Sequence, residues 1–115
     1  YNLDRLAQAG AAAALRDQKH MQANCSRVIA TRERLRGELE KMNVFCWPSA
    51  GNFLLARFGR PMAKDIYEAL KAKKILVRYF NAPRLDDSLR ISIGSDAEID
   101  ALLQELRTLV KPQPV

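Results

Sequence analysis

The period of apolar residues changes near residue 43, and this change constrains the fold more than any other feature of the sequence. Before it, apolar side chains recur at the three- and four-residue spacings of amphipathic helices. After it, short strand-like apolar runs are interleaved with helical stretches. The order helix, helix, strand, helix, strand, strand, helix predicts an α+β fold. We expect a two-layer sandwich, in which helices pack on a small sheet of about three main strands, preceded by two N-terminal helices.

Two helices are predicted before the change of period. Residues 3–17 are rich in alanine, with Asn2 as the N-cap, and such small side chains allow close packing against another surface. Residues 19–42 predict a longer helix that stops at Asn43. Its apolar stripe, interrupted by Arg32, predicts a surface that faces the core. The stripe consists of Met21, Cys25, Val28, Ile29, Leu35, Leu39 and Met42.

The remaining residues predict the sheet. Residues 52–58 and 75–79 are apolar runs of strand length, and residues 44–47 form a shorter candidate strand. Apolar and polar side chains alternate in residues 89–93, which places the leucine and isoleucines on one face and Arg90 on the other.

Two further helices accompany these strands. Pro61 suits the first position of a helix that reaches about Lys73. Its stripe consists of Met62, Ile66 and Leu70. Ser95 and Glu98 form a capping box that begins the last helix. The inner face of that helix is made by Ile99, Leu102, Leu103, Leu106 and Val110, and the helix is stopped by Pro112 and Pro114.

Charge and composition argue against several functional classes. The net charge is +6, but eight Lys/Arg against five Asp/Glu in residues 1–43 and eleven against eight in residues 44–115 give each part +3. This even distribution favours solvated helix faces over a nucleic-acid footprint. No apolar run approaches the roughly 18 residues of a membrane span, and the N-terminus has no signal-peptide character. We therefore expect neither a nucleic-acid partner nor a membrane.

The cysteines and the single histidine predict no metal site. Cys25 and Cys46 form no C-x-x-C pair, and His20 lies at no metal-ligand spacing from them. Two reduced thiols are typical of a protein of the cytoplasm, which is the predicted location. The chain begins without methionine at a helix start, and we expect it to be part of a longer protein.

Two arginines are the candidate binding residues. Arg78 and Arg90 lie within predicted strands, flanked by apolar residues. A guanidinium fork suits carboxylate or phosphate, although an exposed arginine or a structural ion pair would explain the same pattern. Asp86 and Asp87 form a carboxylate pair, but they lie in a predicted turn at residues 81–87, where aspartate commonly makes local hydrogen bonds.

Several strings in this order resemble the C-terminal part of the histidinol-phosphate aminotransferase family, a group of fold-type I pyridoxal-phosphate enzymes. They are YNL (1–3), LAQ (6–8), SAGNFLL (49–55), ILVR (75–78) and LDDSLRISIG (85–94). The resemblance extends over essentially the whole chain. It implies that residues 1–115 are a single C-terminal small domain, with residues 1–43 as the helical segment that links it to a large domain.

The resemblance also implies a function for the parent protein. The family uses pyridoxal phosphate to transfer an amino group between histidinol phosphate and 2-oxoglutarate in histidine biosynthesis, and its members are expected to form homodimers. The string around Arg90 matches the arginine that grips the substrate carboxylate, and Arg78 matches a second arginine used for the phosphate. No lysine here matches the cofactor-binding lysine. We therefore expect this chain alone to bind no cofactor and to be inactive.

Two alternatives remain open. Threonine-phosphate decarboxylases and aromatic aminotransferases of the same fold resemble the same strings. A small basic RNA-binding module could share the strand-helix-strand-strand-helix order, although Phe53, Phe58, Tyr79 and Phe80 do not form the aromatic signature of an RNA recognition motif.

Overall fold

Helices and strands alternate through residues 2–110, the part of the chain that the computed structural model describes. The helices are α1 (Arg5–Arg16), α2 (Gln18–Lys41), α3 (Met62–Ala72) and α4 (Asp96–Leu109). The strands are β1 (Phe45–Cys46), β2 (Phe53–Arg57), β3 (Arg78–Tyr79) and β4 (Ser88–Ser92). Three residues that entered the sequence analysis, Tyr1, Pro112 and Pro114, lie outside the described residues.

The four strands form one antiparallel sheet in the order β1-β2-β4-β3. Its inner face carries the buried apolar strand residues, and these belong to one core cluster with residues of α2, α3 and α4. The inner-face residues are Cys46, Leu54, Ala56, Leu89 and Ile91. Helices therefore cover one face of the sheet, which confirms the predicted α+β sandwich.

The opposite face of the sheet is mostly exposed, although Ser88 on it is buried. We call it the outer face, and its exposed residues are Phe45, Phe53, Arg57, Arg78, Arg90 and Ser92. The alternation predicted for residues 89–93 is confirmed, because Leu89 and Ile91 are buried while Arg90 is exposed. A sheet that is buried on one side only can present side chains for binding on its other side.

Helix α1 and the first half of α2 extend away from this sandwich, whereas the second half of α2 packs in it. No residue of α1 is buried, and Leu6 is 86% exposed. On α2, burial begins at Thr31, so the predicted core-facing stripe is wrong for its first half: Met21 and Ile29 are exposed. Met62 at the start of α3 is also exposed, contrary to its predicted stripe. These positions lie beyond the reach of the sheet and of the helices that pack on it.

Helix ends follow local hydrogen bonding. Asp4, rather than the predicted Asn2, caps α1, because its Oδ1 accepts the Ala7 N–H at 2.8 Å. Asn43 adopts φ 60° just beyond α2, as expected for its predicted stop. The capping box of Ser95 and Glu98 is present, and every predicted inner-face residue of α4 is buried.

The third strand is shorter than the predicted residues 75–79. The chain leaves α3 through Lys74 at φ 62°, and the Ile75 N–H donates to the Leu70 carbonyl at 2.9 Å. This hydrogen bond completes the helix C-terminus and takes the Ile75 N–H out of the sheet. Leu76 is 79% exposed, and pairing with β4 begins only at Arg78.

Candidate functional site

Arg78 and Arg90 lie side by side on the outer face. They are cross-strand partners on β3 and β4. Directly opposed residues of an antiparallel pair point to the same face, with Cα atoms about 4.5–5.5 Å apart. The structure thus brings together the two arginines singled out in the sequence.

Aromatic rings flank both guanidinium groups. The ring of Phe80 has its centroid 5.2 Å from Arg78 Cζ and 5.7 Å from Arg90 Cζ. The ring centroid of Phe53, a residue of β2, lies 5.6 Å from Arg90 Cζ. Rings at these distances attract a cation through their quadrupole and restrict its side chain. Arg90 therefore contacts two rings, and Phe80 contacts two arginines.

Sequence reasoning missed these two aromatic residues. It considered Phe53 and Phe80 only as evidence against an RNA-binding surface. The pattern Arg78-Tyr79-Phe80 did hold a signal, since side chains two residues apart along extended chain lie on the same side. Phe53 could be placed only once the register of β2 against β4 was known.

The site keeps its positive charge. Among residues 2–110, no carboxylate forms an ion pair with Arg78 or Arg90, and both side chains are exposed. A guanidinium without an acidic partner retains its donors for an incoming anion. Two such forks together suit a group with several anionic oxygens, such as a carboxylate or a phosphate.

The adjacent carboxylates of Asp86 and Asp87 form ion pairs with arginines. Asp86 pairs with Arg60, while Asp87 Oδ2 lies 3.0 Å from Arg57 Nε and its Oδ1 accepts the Ser88 hydroxyl at 2.7 Å. The Ser88 hydrogen bond, with a further contribution from the nearby arginines, lowers the pKa of Asp87. The Ser88 hydrogen bond is the local kind predicted for the turn, whereas the arginine partners come from the end of β2 and the loop that follows it.

The loop before β2 is fixed from beneath by Arg32. This arginine, predicted to interrupt an apolar stripe, is 9% exposed and its Nη1 donates to the Gly51 carbonyl at 2.9 Å. The Ser49 hydroxyl donates to the Phe53 carbonyl at 2.6 Å. The Ile93 N–H donates to the Asn52 carbonyl at 2.8 Å, which joins the same loop to the end of β4. These contacts fix the backbone that carries the Phe53 ring.

The described residues offer no other reactive centre. Within residues 2–110 no group of three His, Cys, Asp or Glu side chains is arranged to hold a metal ion. In the same part of the chain, no helix combines the length and the apolar character needed to cross a membrane. Each lysine from Lys19 to Lys74 is exposed to solvent. Cys46 is buried, and burial raises the pKa of its thiol to about 11.

Comparison with known proteins now bears on this site. The sequence profile described as "Aminotransferase class I and II" matches residues 1–106. The chain belongs to the aminotransferase class I and II family. This membership favours the aminotransferase hypothesis over the RNA-binding alternative. The members of this family that were considered as alternatives differ in their substrates.

Individual members of this aminotransferase family are similar over almost the whole chain. Histidinol-phosphate aminotransferase of Synechocystis sp. is 49% identical over 109 residues, which are 95% of this chain and 31% of that protein. Histidinol-phosphate aminotransferase 1 of Hydrogenovibrio crunogenus is 43% identical over 113 residues, which are 98% and 32% of the two. The chain thus spans about a third of the length of these relatives.

A solved structure supports the same relationship. The fold is similar to that of histidinol-phosphate aminotransferase from Sinorhizobium meliloti, solved in complex with pyridoxal-5'-phosphate, with a TM-score of 0.86 and 28% identity. The similarity covers 95% of this chain and 30% of that one. The arrangement of helices and sheet is therefore that of one part of an aminotransferase.

Proposed function

We propose that this chain is the C-terminal small domain of a longer pyridoxal-phosphate aminotransferase that transfers an amino group between histidinol phosphate and 2-oxoglutarate. The observation that carries the proposal is the pair Arg78 and Arg90 on the outer face, without a carboxylate partner in the described residues. The relatives in Synechocystis and Hydrogenovibrio, which bear the histidinol-phosphate aminotransferase name, support this substrate class.

In this proposal Arg90 anchors the carboxylate of glutamate. It lies on a central strand, between the rings of Phe53 and Phe80, so its fork is restrained before substrate arrives. A charge-assisted hydrogen bond of this kind contributes about 1.5–3 kcal/mol. Anchoring a remote anion orients the amino group for reaction, because binding energy at one end of a substrate fixes the position of the other.

Arg78 assists on the phosphate side. The two half-reactions use one site, and the two amino donors, glutamate and histidinol phosphate, present different anions. A phosphate has three peripheral oxygens and a larger charge than a carboxylate, so it can engage a second fork. Arg78 on the edge strand is the cross-strand neighbour that supplies this fork.

Pyridoxal phosphate supplies the electron sink for amino-group transfer when it is bound. The described part of this chain does not fit the role of holding it, because every lysine there is exposed to solvent. No lysine of this chain matches the cofactor-binding lysine of the family, so we assign the cofactor, and the lysine that binds it, to the remainder of the enzyme. The contribution of this chain is to bind and orient the substrate.

Residues 1–43 are then the helical segment that links the small domain to the large one. Their exposed apolar side chains, Leu6 and Leu15 among them, would be covered by the large domain or by a second subunit of a homodimer. The sandwich, whose core includes Leu35 and Leu39 of α2, would present its outer face to the active site.

The proposal is tested by assaying the purified full-length enzyme with histidinol phosphate, aromatic amino acids and threonine phosphate. We expect amino transfer from histidinol phosphate to 2-oxoglutarate with the highest kcat/KM. Preferential transfer from an aromatic amino acid, or decarboxylation of threonine phosphate, would instead support the corresponding same-fold alternative.

A further inference from the structure

Two positive charges lie next to each other on the outer face. Arg78 and Arg90 are directly paired across β3 and β4. Like charges in this relationship repel and destabilise the strand pair. Among residues 2–110 neither arginine forms an ion pair, so another interaction must hold the two side chains together.

The ring of Phe80 is placed to do this. Its centroid lies within cation–π distance of both guanidinium groups, at 5.2 Å from Arg78 Cζ and 5.7 Å from Arg90 Cζ. The residue is half-buried and follows β3 directly. Phe53 differs in one respect, since within residues 2–110 its ring forms a cation–π contact with Arg90 alone. Phe80 is thus the shared aromatic contact of the two candidate anchors.

A ring and a carboxylate would stabilise this pair in different ways. A carboxylate would neutralise the arginines and compete with an incoming anion for their N–H donors. A ring face attracts the cations without accepting the in-plane hydrogen bonds that an anion needs. The guanidinium groups can therefore be held at a fixed separation while their charge and donors remain free.

We propose that Phe80 is a positioning residue that sets the separation of the Arg78 and Arg90 guanidinium groups and so determines preference for substrates with a phosphate over those with only a carboxylate. This rests on the proposed function. A phosphate that engages both forks depends on their separation, whereas a carboxylate on Arg90 depends on one fork, which Phe53 also restrains. Loss of the Phe80 ring therefore weakens phosphate binding more than carboxylate binding.

The test is Phe80→Leu in the full-length enzyme, with KM and kcat measured for histidinol phosphate and for glutamate. Each ring–guanidinium contact is worth a factor of about 2 to 5 in affinity. We expect KM for histidinol phosphate to rise about 5- to 25-fold and KM for glutamate about 2- to 5-fold, with kcat nearly unchanged. Phe80→Tyr keeps the ring and should restore both values.

Fluorinated phenylalanines at position 80 separate the ring's electrostatics from its shape. Successive fluorine atoms withdraw charge from the ring face while the side chain remains nearly isosteric, so folding is preserved even where Phe80→Leu fails to fold. We expect the KM for histidinol phosphate to rise stepwise with fluorine count. Phe45→Leu is the control: this exposed outer-face ring contacts Trp47 at 5.0 Å and neither anchor arginine.

Equal rises in both KM values, or a KM that does not respond to fluorination, would overturn the proposal for Phe80. These outcomes are distinct from failure of the proposed function. If Arg90→Lys weakens both substrates while the Phe80 variants behave like the wild type, the anchors stand and the role of Phe80 is wrong. If Arg90→Lys also has no effect, the anchor assignment itself is wrong.

Discussion

Arg78 and Arg90 are paired across strands β3 and β4, and their guanidinium carbons lie 5.2 and 5.7 Å from the same Phe80 ring. Two neighbouring cations with no carboxylate partner in the described residues form a surface prepared for an anion. Their position on the exposed face of the sheet leaves both guanidinium groups accessible to an anion.

The chain alone should neither bind pyridoxal phosphate stoichiometrically nor catalyse amino transfer. The reason is that each lysine from Lys19 to Lys74 is exposed and none matches the cofactor-binding lysine of the family. The measurement is the absorbance spectrum of pyridoxal phosphate mixed with the chain, together with an assay for amino transfer. A stoichiometric spectral change that disappears on substituting one particular lysine would contradict this prediction.

Ser95→Ala should lower the free energy of unfolding by about 1 kcal/mol, because it removes the oxygen that accepts the Glu98 N–H at the start of α4. Urea denaturation of the chain measures the change. Ser26→Ala is the matched control, since Ser26 is exposed within α2 and caps no helix. An equal loss of stability in the two variants would show that the capping box contributes nothing particular.

Asp87→Asn should make the melting temperature fall less steeply as the pH is lowered into the acid range. The hydrogen bond from Ser88, with the charge of Arg57, lowers the folded-state pKa of Asp87 below its usual value of 3.8. Its stabilising contribution is therefore complete above about pH 4 and is lost as the pH falls through the lowered pKa. Melting temperatures between pH 7 and pH 2.5 measure this, with Asp65→Asn as control because Asp65 is exposed and forms no ion pair among residues 2–110. If the melting temperatures of wild type and Asp87→Asn decreased equally with falling pH, this prediction would be wrong.

The two cysteines should differ in reactivity. Burial, with the charge of Glu40 adding to it, raises the pKa of Cys46 to about 11, whereas Cys25 is exposed on α2. At pH 8 only about one Cys46 thiol in a thousand is ionised, and the thiolate is the reactive form. Iodoacetamide should therefore label Cys25 alone in the native chain and both thiols in guanidinium chloride, as measured by mass spectrometry. Equal labelling of both thiols in the native chain is the contrary result.

Local patterns predicted much of the fold, because they depend on neighbouring residues. The alternation around Arg90 placed its strand faces correctly, and the Ser95–Glu98 box marked the start of α4. What failed depended on packing at a distance. The periodicity of Met21 on α2 could not show that the sheet ends before reaching it, and the apolar run at Ile75 could not show that its N–H completes a helix.

The candidate site was predictable in part. Each arginine could be found from its strand pattern and from the family resemblance. Their direct pairing required the register between β3 and β4, which the sequence does not specify for a strand of two residues. The contact of Phe80 with Arg90 depended on that same register, and the contact of Phe53 with Arg90 depended on the register between β2 and β4.

Arg90→Lys should lower kcat/KM for both half-reactions by roughly 10- to 100-fold, because lysine keeps the charge but loses the planar fork. Arg78→Lys should impair the histidinol-phosphate half-reaction more than the glutamate half-reaction, because only the phosphate engages the Arg78 guanidinium group. Arg84→Lys is the matched control. Arg84 is exposed in the adjoining loop, and within residues 2–110 it forms no cation–π contact with Phe53 or Phe80.

Single-turnover kinetics of each half-reaction in the full-length enzyme are the most direct test of the anchor assignment. The predicted result is a loss with both substrates for Arg90→Lys, a loss concentrated on histidinol phosphate for Arg78→Lys, and wild-type rates for Arg84→Lys. Unchanged rates in Arg90→Lys would contradict the assignment of Arg90 as the substrate anchor, and equal losses with both substrates in Arg78→Lys would contradict the division of roles between the two arginines.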